Sequence, residues 1–211
     1  MIQLSDHFDY KRLLRYTLPS IIMLIFTSIY GVVDGYFVSN FVGKTAFTAV
    51  NFIMPILIIL GCVGFMFGTG GGALIAITIG AGHREKANQL FSMLVYVSLA
   101  CGIVLTGLGL LFLRPLLSIL GAEGQMLEDC VTYGKILLPA ICAYILQYEF
   151  QCLFSTAEKP KLGLYITVAA GLTNAFLDAL FIIVFQWGLQ GAAAATAIGQ
   201  CIGGLLPILY F

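Results

Sequence analysis

GLTNAFLDALFIIVF, residues 171–185, decides how this chain is read. It would pass as an ordinary lipid-soluble helix except for Asn174 and Asp178. Four residues apart, an amide and a carboxylate share one helical face. A carboxylate in hydrocarbon costs about 2.5 kcal/mol or more. Something in the folded chain has to compensate for it.

The surrounding composition gives that hydrocarbon its meaning. Of the 211 residues, 60% are hydrophobic and 9% charged, with a mean hydropathy of +1.01. A soluble domain carries about 25% charged residues, so this chain cannot cover a globular surface and reads as an integral membrane protein. Apolar runs near 15–40, 46–80, 89–113, 132–155, 162–186 and 189–211 are each long enough to cross a bilayer, which takes about 20 helical residues. They are continuous rather than alternating, which favours helices over β-barrel strands. The expected fold is an all-α, polytopic membrane bundle of six transmembrane helices.

Basic residues set the orientation. Lys11, Arg12, Arg15, Arg84, Lys86, Lys159 and Lys161 fall on one side, and Lys44, Arg114 and Lys135 on the other. The positive-inside bias predicts both termini in the cytoplasm, in a bacterial-type inner membrane.

Several classes are disfavoured by what the residues cannot do. A net charge of zero leaves no basic face for nucleic acid. Cys62, Cys101, Cys130, Cys142, Cys152 and Cys201 are scattered without a C-x-x-C pair and read as small apolar filler. GTGGGA, residues 68–73, mimics a dinucleotide loop, but it lies inside an apolar run. Gly64, Gly68 and Gly72 instead give one helix a thin face for close packing. His7 and His83 sit in polar flanks, and no nucleophile elbow is present. The chain is not expected to be an enzyme; an intramembrane aspartyl hydrolase is the last of the alternatives.

The remaining polar residues are more informative. The first span carries Asp34, with Tyr30 one turn earlier, and Gly31 and Gly35 are expected to let another helix approach Asp34. Pro19, deeper in that span, removes a backbone hydrogen bond and is expected to kink the helix. The sixth span offers Thr196 and Gln200 one turn apart. If spans one, five and six meet, Asp34, Asn174, Asp178 and Thr196 form an oxygen-rich cluster. Such a cluster suits a hard cation such as Na⁺, or a proton shared between the carboxyls. Interhelical hydrogen-bond glue is the bland reading, preferred for Asn alone; two intramembrane aspartates favour an ion site. Glu149 is expected to be structural, snorkelling or pairing with Lys159 or Lys161. Tyr30 and Tyr133 are candidates for a substrate pocket, although tyrosine at helix ends is commonly an interfacial anchor.

Four stretches together resemble the multidrug and toxic compound extrusion (MATE) family: TLPSIIMLIFTSIYGVVDGYFVSNFVG (17–43), GTGGGALIAITIGAG (68–82), STAEKPKLGL (155–164) and residues 171–200. Each is loose alone; the ordered set is fairly specific. The resemblance implies a transporter of twelve helices in two lobes, with residues 1–211 as the N-terminal lobe and the C-terminal lobe absent. It places a cation or proton site on Asp34, Asn174, Asp178 and Thr196. It also implies antiport of drug-like organic cations against Na⁺ or H⁺ by alternating access. A flippase for lipid-linked oligosaccharides or polysaccharides, from the same superfamily, is the alternative. A non-transporting membrane fragment, or a half-transporter that homodimerises, is the second. A piece of a longer protein is favoured over a natural half-size one.

Overall fold

The structure is a computed structural model that describes residues 10–157 and 159–210, without the side chains of 11–13 and 16. His7 lies outside the described residues, as do the side chains of Lys11 and Arg12. Helix α1 spans Tyr10–Phe37, α2 Lys44–Gly80, α3 Arg84–Ile119, α4 Gly124–Leu137, α5 Ile141–Thr156, α6 Pro160–Asp178 and α7 Gly188–Leu205. α4 and α5 are joined through a 3₁₀ turn at Leu138–Ala140 and make one continuous span. Among the described residues, six segments are therefore long and apolar enough to cross a membrane.

The boundaries have local causes. Pro160 opens α6 at the position where a missing N–H costs nothing. Gly43, at φ 136°, separates the first span from α2 in a conformation that L residues rarely adopt. Pro139 imposes the 3₁₀ turn within the fourth span. That span begins at Gly124, earlier than its hydropathy suggests, because Glu128 and Asp129 dilute its first turns. α1 stays helical through Pro19, and beside that proline the Ser20 and Ser155 hydroxyls meet at 3.3 Å.

α2 packs chiefly on α5, and α1 on α6; α7 lies against α4, α5 and α6. The α2–α5 seam follows the Gly64, Gly68 and Gly72 series. A Cβ on Gly64 would sit 2.0 Å from the Ile145 carbonyl oxygen, and one on Gly68 2.9 Å from the Glu149 Cα. On the other side of α5, a Cβ on Gly204 of α7 would lie 2.0 Å from the Ala143 carbonyl oxygen. α5 is thus held between two helices that approach to backbone contact.

The outer surface suits lipid. Ile59, Leu111 and Ile103 are among many exposed aliphatic side chains. Several polar side chains facing outward bond to their own helix. Thr48 donates to the Lys44 carbonyl, Asn51 to that of Phe47, and Thr69 to that of Phe65, all within 2.9 Å. Hydrocarbon offers no other partner, so the carbonyl one turn back takes that role.

Candidate functional site

The interior behaves differently from that surface. Asp34, Asn174, Asp178 and Thr196 are all buried, Asp178 completely. α6 brings Asn174 and Asp178 onto the face that meets α1 and α7. Gly171 admits Phe26 and Tyr30 of α1: a Cβ there would stand 3.1 Å from each ring. Gly199 of α7 lies against Asn174 in the same way, with 3.1 Å between its Cβ position and the Asn174 Cβ. The first, fifth and sixth spans therefore do converge on these four residues.

Asp34 faces Asp178 and Thr196. The Asn174 Nδ2 donates to Thr196 Oγ1 at 3.5 Å, the limit of a hydrogen bond. Both carboxylate oxygens of Asp178, one of Asp34, and the Asn174 side-chain oxygen have no hydrogen-bond partner. Buried polar atoms are ordinarily paired, and an orphaned one costs about 1–3 kcal/mol, more when charged. Such a cluster asks for a positive charge. Its donors are hard oxygens, fitting Na⁺ or a proton.

A fifth group joins these four. Tyr133 of α4 is fully buried, its hydroxyl is unpaired, and it faces Thr196 and both aspartates. The sequence nominated Tyr133 for a substrate pocket; the fold sets its hydroxyl at the edge of the acidic cluster. Tyr30 faces Gln147, Tyr148 and Asp34, one turn away along α1. Asp34 also borders a groove of about 480 Å³ between α1 and α2, lined in part by Ser28, Gly31, Gly35 and Asn51.

Sequence reasoning missed a backbone feature at both acids. α1 passes into a π-helical turn at Val38–Val42, and α6 into another at Ala179–Val184, directly after Asp178. The two turns touch each other. π-turns widen the helix and are frequent at functional sites; here they alter the two helices that deliver the carboxyls. Neither stretch has a residue type that announces the turn.

Two readings of the sequence need correction. Nothing lies within 4 Å of a Cβ built on Gly31, but one on Gly35 would stand 3.3 Å from the Phe47 ring of α2, so only Gly35 of that pair admits a neighbouring helix. α6 makes a second close approach to the Asp34 helix, through Gly171. Glu149 neither snorkels nor pairs with Lys159 or Lys161. It is fully buried with both carboxylate oxygens unpartnered, and Lys159 bonds the Tyr210 hydroxyl. The α2–α5 seam is too tight to let the Glu149 head reach the surface.

Among the described residues, six spans wrap around a buried pair of acids, the layout of a multi-pass membrane protein. The family model described as MatE matches residues 19–180, and the chain belongs to that family. Multidrug export protein MepA of Staphylococcus haemolyticus (strain JCSC1435) is 29% identical over 202 residues, 96% of this chain and 45% of that protein. The protein of the same name from Staphylococcus aureus (strain MRSA252) is 27% identical over the same shares. The chain thus spans about half the length of the curated relatives it matches. An outward-facing multidrug resistance MATE family transporter of the MOP superfamily shares the fold, with a TM-score of 0.87 and 24% identity. That match covers 93% of this chain and 44% of that one. An inward-facing structure of such a transporter gives 0.81 at 23% identity, over 90% and 45%.

Proposed function

We propose that the chain acts as the N-terminal lobe of an exporter of drug-like organic cations, coupled to inward movement of Na⁺ or H⁺. The observation that carries this reading is the cluster of unpartnered oxygens where α1, α6 and α7 meet. Multidrug export by relatives of twice its length supports the substrate class.

The coupling follows from electrostatics. Asp34 and Asp178 face each other in the buried interior, so they do not both stay charged without a cation or proton between them. An incoming ion neutralises the pair and draws α1 toward α6. Loss of the ion lets the carboxyls repel one another. The π-turns beside both acids offer a place for the helices to change length and twist as the site fills and empties. The force is adequate: one elementary charge crossing the membrane yields about 2.3 kcal/mol per 100 mV. Drug transport needs a cleft against a second lobe, supplied by the rest of a longer protein or by a second copy of this chain.

The test is reconstitution of the chain in proteoliposomes, with cross-linking to establish its oligomeric state. The monomer is expected to bind the ion and export nothing. Coupled efflux of a fluorescent cation from a proven monomer would refute the need for two lobes. Orientation is tested separately, with cysteines introduced in a background freed of native ones. Those at Arg84 and Lys159 should resist impermeant thiol reagents in intact cells, and one at exposed Glu123 should label. The reverse pattern would overturn cytoplasmic termini.

A further inference from the structure

α5 carries a second buried acid that the coupling site does not use. Gln147 points toward α7, where a Cβ on Gly203 would come within 2.7 Å of its side chain. Two residues on, Glu149 projects from nearly the opposite face of the helix, toward α2 and α3. Neither Glu149 nor the facing Ser98 of α3 has any exposed surface. Both carboxylate oxygens and the Ser98 hydroxyl lack hydrogen-bond partners.

We propose that Glu149 is a second proton-binding site, held as a neutral carboxylic acid whose O–H donates to the Ser98 hydroxyl and ties α5 to α3. A carboxylate enclosed in this way needs a cation, and among the described residues none is within reach. Arg84, Lys86, Lys159 and Lys161 are all exposed, and Lys159 is engaged with Tyr210. α2 presents the backbone of Gly68 and α3 presents Ser98; the other titratable group beside Glu149 is Cys152, on α5 itself. A proton taken from solvent forms one O–H bond on Glu149, and that O–H satisfies Ser98 Oγ. The charge is removed and Ser98 Oγ gains a donor, without an ion.

Infrared spectroscopy of the chain in nanodiscs tests this at neutral pH. A protonated-carboxyl C=O stretch is expected, shifted by ¹³C labelling of glutamate; the described Glu85, Glu123 and Glu128 are exposed, and Glu149 is the buried one. The band should vanish in Glu149→Gln and move to higher frequency in Ser98→Ala. It should persist in Asp34→Asn/Asp178→Asn, which separates this site from the coupling pair. Glu149→Gln keeps the shape and a donor, so its melting temperature should stay near that of the parent. If that variant does not fold, the ¹³C shift and the Ser98→Ala displacement still decide. A neutral-pH spectrum with no glutamate-dependent C=O band, or a band unmoved by Ser98→Ala, would overturn the proposal.

Discussion

α5 divides two kinds of interior. Toward α2 and α7 it is clamped by glycines so closely that a Cβ at Gly64 or Gly204 would overlap a backbone carbonyl oxygen. Where α1, α6 and α7 meet, packing stops short of satisfaction, and the oxygens of Asp34, Asn174 and Asp178 stand unpaired. Rigid backbone contact holds one region, with Glu149 and Ser98 as its unpaired exceptions; the other gathers the unpaired oxygens on which the proposed ion site rests. The lipid-facing surface sharpens this contrast. There Thr48, Asn51 and Thr69 are paired within their own helix.

Substitutions can break that division in order of expected effect. Gly64→Leu forces a side chain into the Ile145 carbonyl, where no flexible group can yield. A loss of about 3 kcal/mol, the upper end of the overpacking range, is expected. Thermal unfolding in detergent should show the chain aggregating or melting far below the parent. Asp178→Asn comes next. Ion binding measured by titration calorimetry should fall by at least about tenfold, about 1.4 kcal/mol, while the melting temperature holds or rises because an unpaired buried charge is removed. A strong fall in stability would mean that Asp178 is structural glue.

Smaller changes sharpen the edges of the site. Tyr133→Phe removes one unpaired hydroxyl beside Thr196 and keeps the ring. It should weaken ion binding a few-fold, of the order of 1 kcal/mol for one hydrogen-bonding group, with little change in melting. Gly31→Ala is the counterpart of Gly64→Leu. Its Cβ enters open space beside α2, and it should stabilise the helix by ~0.5–1 kcal/mol. A large destabilisation there would show that another helix covers this face.

Much of this was legible in the sequence, for identifiable reasons. Hydropathy alone separates the six spans, and the four-residue spacing of Gly64, Gly68 and Gly72 marks a helix face that must touch backbone. Asp34, Asn174, Asp178 and Thr196 stand out because an apolar helix has few reasons to hold them. The rest depends on tertiary contact. Tyr133 was one tyrosine among ten until α4 packed on α7 and brought its hydroxyl to Thr196. Glu149 looked able to reach Lys159 along the sequence, but Lys159 instead meets Tyr210, 51 residues away. The π-turns after both acids have no residue signature, because they arise where two helices adjust to each other.

Saturable ion uptake by the purified chain in nanodiscs tests the central claim most directly. It is read as radioactive Na⁺ binding and, in parallel, as proton uptake by a dye. One of the two should saturate in the parent and in Glu149→Gln, and disappear when Asp34→Asn or Asp178→Asn is added to Glu149→Gln. Uptake that survives both aspartate substitutions in that background would contradict the assignment of the coupling site to the meeting of α1, α6 and α7.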